Sequence, residues 1–186
     1  MILATELTPL GRAALERHFL ALDATDRRLR FGVPQGDFAI RAYVERIDFG
    51  RDAVFGVWGD DLQLIGAAHL ARAGKRAELG LSVLRAHRRR GLGGALLSRA
   101  CVRARNWRRL ALFMYCLREN EAMTRLARKQ GMAIDAVAGE AHAWLKLPPA
   151  DAASFFDDVS SEALARFDLA LKAQLGYARR LLPFQQ

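Results

Sequence analysis

The segment from Arg88 to Gly94, RRRGLGG, places three arginines and three glycines directly before an apolar run. The apolar run predicts that a helix begins here, and the first N–H groups of a helix have no acceptor within it. Glycine lacks a Cβ, so an anion can reach these amides, and arginines add charge-assisted hydrogen bonds. The pattern therefore predicts a phosphate-binding turn, with a solvated basic loop as the alternative.

Two other phosphate-binding patterns do not fit this turn. A Walker loop needs lysine followed by serine or threonine after its last glycine, whereas Ala95 follows Gly94. A dinucleotide-binding G-x-G-x-x-G pattern that starts at Gly91 would need glycine at Leu96. A different kind of phosphate-binding fold is expected.

The elements that must position this turn indicate an α/β (α+β) class. Helices are predicted to begin at Thr8-Pro9 and at Asp37, to follow the basic turn as far as Asn106, and to span Glu119–Gln130. Strands are predicted over Ile2–Leu7, Ala53–Trp58, Leu62–Leu70, Ala77–Leu84, Leu110–Leu117, Met132–Val137 and Ala141–Leu147. The strand Leu110–Leu117 is almost wholly apolar, which predicts cover on both faces. The last two strands are predicted to join at Ala138-Gly139-Glu140.

The turn also follows R-x-x-G-x-G from Arg88 to Gly93. With the strand Leu81–Val83 before it, and Leu110–Leu117, Asn120 and Gly131-Met132 after it, the chain resembles the GNAT superfamily of acyl-CoA-dependent N-acetyltransferases. Its start, LTPLGRAALERHF, is similar to that of bacterial protein-lysine acetyltransferases.

The resemblance implies a fold and a division of the chain. It implies a mixed, mostly antiparallel central sheet flanked by helices, in a domain over residues 1–147 that includes two leading helices. Beyond Pro148-Pro149, residues 148–186 are predicted from the sequence itself to form a C-terminal helical extension, with one apolar face that consists of Leu164, Phe167, Leu171, Leu175 and Ala178. We expect that face to pack on its own domain; a homodimer contact or a lid over a ligand is the alternative.

The resemblance also implies acetyl-CoA as cosubstrate and assigns the residues that bind it. Turn amides would bind the pyrophosphate, three strand residues would pair with the pantetheine arm, and the Val83 amide would polarise the thioester carbonyl. Asn120 would lie at the cysteamine end. The candidate set is Leu81, Ser82, Val83, Arg88, Arg89, Arg90, Gly91, Leu92, Gly93, Gly94 and Asn120.

Acetyl transfer to a primary amine, on a protein lysine or a small molecule, requires removal of a proton. An alkyl ammonium has a pKa of about 10.4, so roughly 1 in 2,500 amines is free at neutral pH. Glu78 is the first candidate base, because the resemblance places a glutamate there in protein-acetylating members. Tyr115 is the second, with buried packing as its alternative, while His69 and His87 are weaker candidates.

Ala127 departs from the family pattern and leaves two other functions open. It stands where many members carry a tyrosine that protonates the departing thiolate, which favours a non-catalytic acyl-CoA-binding or sensing module. The net charge of +9, with only four lysines among 29 basic residues, favours an anionic partner and raises nucleic acid as a third function. The aromatic residues are not interleaved with the basic turn, which argues against nucleic acid.

The remaining composition indicates a cytoplasmic protein. No apolar run reaches the roughly 18–20 residues of a membrane span, and the N-terminus lacks the features of a signal peptide. Cys101 and Cys116 are expected to be small buried hydrophobes in a reducing compartment. No group of residues has the spacing of metal ligands, so no metal is expected.

Overall fold

The computed structural model describes residues 2–137 and 140–181, in which the chain forms seven strands and six α-helices. The strands are β1 (Thr5–Glu6), β2 (Ala53–Trp58), β3 (Leu64–Ala73), β4 (Arg76–Val83), β5 (Ala111–Leu117), β6 (Ala133–Val137) and β7 (Glu140–Lys146). The helices are α1 (Arg12–Leu20), α2 (Ala24–Phe31), α3 (Asp37–Glu45), α4 (Leu92–Asn106), α5 (Glu121–Lys129) and α6 (Ala152–Leu181).

All seven strands form one sheet in the order β1-β2-β3-β4-β5-β7-β6. Every neighbouring pair is antiparallel except β4 and β5, which α4 connects as a crossover. The predicted mixed, mostly antiparallel sheet flanked by helices is confirmed. The strands β6 and β7 pair as predicted, and Ala138 and Gly139 of the predicted turn lie outside the described residues.

Helices cover both faces of the sheet, and each face has its own hydrophobic core. On one face α1 and α3 bury apolar side chains against β2 and β3, including Phe19 and Ile40. On the other face α4 buries Leu96 and Leu97 against β2–β5, with Ala127 of α5 in the same core. The segment that leads from β4 into α4 is attached to both cores, since Leu84 is buried in the first and Leu92 in the second.

The helix α2 was not predicted as a separate element, and its ends carry the signals that define it. Asp23 precedes it and accepts a hydrogen bond from the Asp26 N–H at 2.8 Å, as an N-cap does. Gly32 ends it in the left-handed conformation, with φ of 79°. The chain therefore has three leading helices, and the predicted strand Ile2–Leu7 shrinks to the two residues of β1.

The expectation that β5 is covered on both faces is wrong. Leu112 and Met114 are buried under α4, but Phe113 is only partly buried and Tyr115, on the opposite face, is 48% exposed. The helices α1 and α3 pack on β2 and β3, and the short α2 contacts β4 and β5. An apolar, partly aromatic surface of β5 and β7 is left open to solvent.

The C-terminal helix α6 lies against α4 and β1. Arg99 and Arg103 of α4 form ion pairs with Asp158, and Arg99 also pairs with Glu162 at 3.2 Å. Arg103 binds both carboxylate oxygens of Glu6 at 2.7 Å. The division of the chain at residue 147 stays a prediction, and this ion-pair cluster shows how the extension is attached. The apolar face that was expected to pack on the domain does not do so, since Leu164, Phe167, Leu171 and Leu175 are 44–71% exposed and Ser154, Asp158 and Ala165 are buried instead.

Over residues 2–137 and 140–181, none of the helices combines the length and the apolar character that crossing a membrane requires. Within the same part of the chain, no cluster of three histidine, cysteine or acidic side chains could hold a metal ion.

Candidate functional site

The strands β4 and β5 separate at the centre of the sheet. Their parallel pairing ends at Glu78 and Phe113, although β4 continues to Val83 and β5 to Leu117. The Leu84 N–H donates to a β3 carbonyl at 2.9 Å, and N–H directions alternate along a strand. The N–H groups of Val83 and Leu81 therefore point away from β3, into the gap beside β5.

The basic turn leads from this gap directly to the start of α4. Gly91 is the N-cap of α4 and adopts φ of +86°, a conformation that glycine enters without a Cβ penalty. The amides of Leu92, Gly93 and Gly94 lie in the first turn, where no helical acceptor is available. A Cβ added to Gly94 would meet no heavy atom within 4 Å, so this side of the turn faces open space. The turn has the backbone of an anion site.

Arg88 holds the turn in place through protein partners. Its Nε donates to the Val83 carbonyl at 3.0 Å, and its other end lies 2.7 Å from a carboxylate oxygen of Asp26. Asp26 is 7% exposed and belongs to α2. Arg89 is exposed, has φ of +59° and shows no carboxylate within 4 Å among the described residues. The side chain of Arg89, unlike that of Arg88, is available to a bound anion.

One cleft of about 550 Å³ connects the gap with the turn. Its walls come from α2, the end of β4, the turn and α5. Ten of the eleven predicted binding residues line it: Leu81, Ser82, Val83, Arg88, Arg89, Gly91, Leu92, Gly93, Gly94 and Asn120. Arg90, Glu78 and Tyr115 are not among the lining residues. The helix α2 contributes three that were not predicted, Asp26, Leu29 and Arg30, and Leu22, just before the helix, is another.

A family model described as the Acetyltransferase (GNAT) family matches residues 21–132, more than half of the chain. The chain belongs to the GNAT acetyltransferase family. The resemblance stated from the sequence is confirmed. No curated protein matches the chain in a sequence search.

Solved GNAT structures have the same fold. The GNAT domain of PAT from S. lividans superposes with a TM-score of 0.69 at 19% identity, covering 77% of this chain and 89% of that domain. An N-acetyltransferase from Staphylococcus aureus Mu50 gives 0.64 at 17% identity, covering 80% and 99%. A phosphinothricin acetyltransferase from Sinorhizobium meliloti, in complex with AcCoA, gives 0.64 at 13% identity, covering 81% and 94%.

Asn120 joins two walls of the GNAT cleft. It caps α5, since its Oδ1 accepts from the Met123 N–H at 3.2 Å. Its Nδ2 donates to the Leu29 carbonyl of α2 at 3.4 Å, and the residue is only 8% exposed. The side chain that the resemblance places near the cysteamine end thus also fixes the separation of α2 and α5.

Both predicted catalytic side chains lie on the open face of the GNAT sheet. Glu78 is exposed on β4 and forms no ion pair with the cations that the structure describes. Phe113 stands opposite it on β5, two residues before Tyr115. Buried packing, the alternative role for Tyr115, is wrong because the ring is 48% exposed and contacts His142 edge-on at 5.0 Å.

Ala127 is fully buried in the core beneath α4 and is therefore a packing residue. Many GNAT members carry a tyrosine at this position, but the side chain of Ala127 cannot act as an acid. His69, a weaker candidate proton carrier, lies outside the cleft: its Nε2 is 3.2 Å from Asp52 and its Nδ1 is 2.7 Å from the Tyr43 hydroxyl. His87 does line the cleft.

A buried histidine that the sequence analysis missed contacts the cleft strand. His18 of α1 is 1% exposed, with Nδ1 2.7 Å from the Leu64 carbonyl and Nε2 2.8 Å from the Ser82 Oγ. A carbonyl only accepts, so Nδ1 carries the proton and Nε2 accepts the Ser82 hydroxyl. Burial lowers the pKa of His18 to about 4, which keeps the ring neutral at pH 7. A signal existed, because His18 follows Leu15 by three residues on the apolar face of α1.

Proposed function

We propose that this chain transfers the acetyl group of acetyl-CoA to a primary amine by direct attack of the amine on the thioester. The acceptor is a protein lysine or a small molecule. The observation that carries the proposal is the continuous path from the gap between β4 and β5 to the amides at the start of α4. A path of this kind suits an extended ligand with an anionic group at one end.

Different residues of the cleft bind different parts of acetyl-CoA. The amides from Arg89 to Gly94, with the guanidinium of Arg89, bind the pyrophosphate at the positive end of α4. The free backbone groups of Leu81 pair with the pantetheine arm as an added strand would, whereas the Val83 carbonyl already accepts from Arg88. The Val83 N–H polarises the thioester carbonyl and stabilises negative charge on its oxygen.

Transfer forms a bond from the amine nitrogen to the acyl carbon and breaks the bond from that carbon to sulfur. The proton of the amine passes to the Glu78 carboxylate, directly or through water, because the free amine is disfavoured by about 4.6 kcal/mol at pH 7. Coenzyme A leaves as a thiolate. A thiol pKa of about 8.5 makes this a competent leaving group without an acid, which accommodates Ala127.

The acceptor approaches from the open face of β4 and β5. Glu78 and Tyr115 lie on this face, and the exposed ring of Trp144 on β7 extends it. The two cysteines are free, which supports a reducing compartment, and we place the reaction in the cytoplasm.

Release of coenzyme A thiol tests the activity. The purified chain is incubated with acetyl-CoA and a panel of small amines and lysine-containing proteins. We expect release, and we expect Glu78→Gln to lower its rate about a hundredfold or more, which is the usual contribution of a general base. Glu45→Gln is the matched control, since Glu45 is exposed on α3, outside the cleft. Release at equal rates from wild type and Glu78→Gln would contradict the role of Glu78.

A second function is favoured by one observation, the burial of Ala127 where an acid would stand. A non-catalytic acyl-CoA-binding module would bind acetyl-CoA without consuming it. Ligand at a hundred times its dissociation constant then stabilises the fold by about 2.7 kcal/mol, with no thiol released from any amine. Stabilisation with thiol release supports the transferase instead.

A further inference from the structure

Arg30 of α2 lines the cleft, and its guanidinium lies against β4 at Gly80, which has no side chain. A Cβ added to Gly80 would stand 2.5 Å from the Arg30 Cζ, so the guanidinium occupies the space where a side chain of β4 would be. Gly80 lies between Glu78 and Ser82 on the same face of the strand. Arg30 therefore sits beside the candidate base and the residues that would bind the thioester arm.

The Arg30 guanidinium is held rigidly by aromatic rings. Its Cζ lies 5.4 Å from the ring centroid of Phe19, 4.9 Å from that of Phe31 and 5.7 Å from that of Tyr43. One terminal nitrogen donates to the Tyr43 hydroxyl at 3.1 Å. A guanidinium held in this way keeps its orientation toward the cleft that it lines.

The positive charge of Arg30 has no contacting carboxylate. Among the described residues no acidic side chain lies within 4 Å of it, and its buried Nε has no hydrogen-bond partner. The chain of hydrogen bonds from Tyr43 reaches Asp52 only through His69. Asp52 is in addition bound by the Arg72 N–H at 3.2 Å. A guanidinium that lines the cleft without a carboxylate partner can bind an anion through charge-assisted hydrogen bonds.

We propose that Arg30 binds a carboxylate carried by one of the two substrates. The inference rests on the proposed function, since it assigns Arg30 to the acyl-transfer end of the same cleft. The planar guanidinium matches a planar carboxylate, and the diphosphate has its own site at the start of α4, well beyond Ser82 along the chain. The substrate is therefore an amine that bears a carboxylate, or an acyl-CoA whose acyl chain ends in one.

Two calorimetric titrations distinguish a carboxylate on the acyl-CoA donor from a carboxylate on the amine acceptor. In the donor arm, wild-type protein is titrated with succinyl-CoA and with butyryl-CoA, which has the same chain length without the charge. In the acceptor arm, protein saturated with coenzyme A is titrated with each common amino acid and with its carboxamide. We expect at least tenfold tighter binding of the carboxylate form in one arm, the usual effect of a charge-assisted hydrogen bond. Equal binding of charged and neutral forms in both arms would overturn the proposal.

Variants then assign the preference to Arg30. Arg30→Met is expected to remove it, whereas Arg28→Met should keep it, because Arg28 lies on the same helix and pairs with Glu119. If circular dichroism shows Arg30→Met to be unfolded, Gly80→Ala displaces the same guanidinium by its Cβ and should also remove the preference. A preference that survives in the folded variant contradicts the role of Arg30.

The outcome is separable from the test of the proposed function. Both arms measure binding, so they do not depend on turnover. If thiol is released from amines but the titrations show no preference for a carboxylate, only the proposed role of Arg30 is contradicted. A carboxylate preference in binding, without thiol release from any amine, supports Arg30 as a ligand site and contradicts the transferase.

Discussion

Mild acid is expected to destabilise this protein through His18. An unfolded histidine binds a proton with a pKa of 6.5, whereas burial lowers the pKa of folded His18 to about 4. Between these values the unfolded state binds more protons than the folded state, so the free energy of unfolding falls as the pH falls. From about pH 7.5 to about pH 5.0 the loss from this one group is about 2 kcal/mol.

Urea denaturation of wild type and His18→Gln at these two pH values measures the loss. Glutamine retains a donor for the Leu64 carbonyl and an acceptor for the Ser82 hydroxyl but does not titrate. Burial also lowers the pKa of His69, and comparison with the variant removes this shared contribution. Wild type should lose about 2 kcal/mol more than the variant. Parallel losses in the two proteins would refute the burial of a neutral His18.

Three further predictions concern the turn, the ion-pair cluster and a thiol. Arg89→Gly should raise the free energy of unfolding by about 1 kcal/mol, because glycine relieves the positive φ. The same variant should weaken coenzyme A binding, measured by calorimetry, about tenfold. Arg41→Ala on α3 is the control and should leave binding unchanged. Asp158→Asn should lower the urea-derived stability by about 3 kcal/mol, because Arg99 would be left buried and partly unpaired. Cys101 is only partly buried, not fully buried as expected, and this burial raises its pKa to about 11; at pH 8 iodoacetamide should therefore alkylate it far more slowly in the folded than in the unfolded protein, and equal rates would contradict the raised pKa.

The turn and most helices and strands could be predicted because their signals are local. The run from Arg88 to Gly94 contains its own helix start, whereas Leu81–Val83 and Asn120, which line the same cleft, were assigned through the family resemblance. The Asp37 helix was visible in the spacing of Ile40 and Val44, which are both buried. Such signals need no knowledge of distant residues.

The other features depend on contacts between distant segments. The gap between β4 and β5 was expected only through the family resemblance, because no local pattern determines that two strands cease to pair at Glu78. The cover of β5 depends on where α1–α3 end, so an apolar strand was mistaken for a doubly covered one. The cage of Arg30 combines rings from three helices and the space above Gly80. For α2, by contrast, Asp23 and Gly32 carried a readable signal.

The attachment of α6 has a consequence for how the sheet can meet other chains. At the β1 edge, the outward N–H of Glu6 already donates to the Glu162 carboxylate at 2.9 Å, and the Thr5 hydroxyl donates to the Ala165 carbonyl at 3.4 Å. A peptide strand from another molecule could not pair with the Glu6 N–H, because this group already has a partner. Covering the edge of a sheet in this way is one means by which proteins avoid aggregation. A strand from another molecule would have to extend the sheet from the far side, along β6.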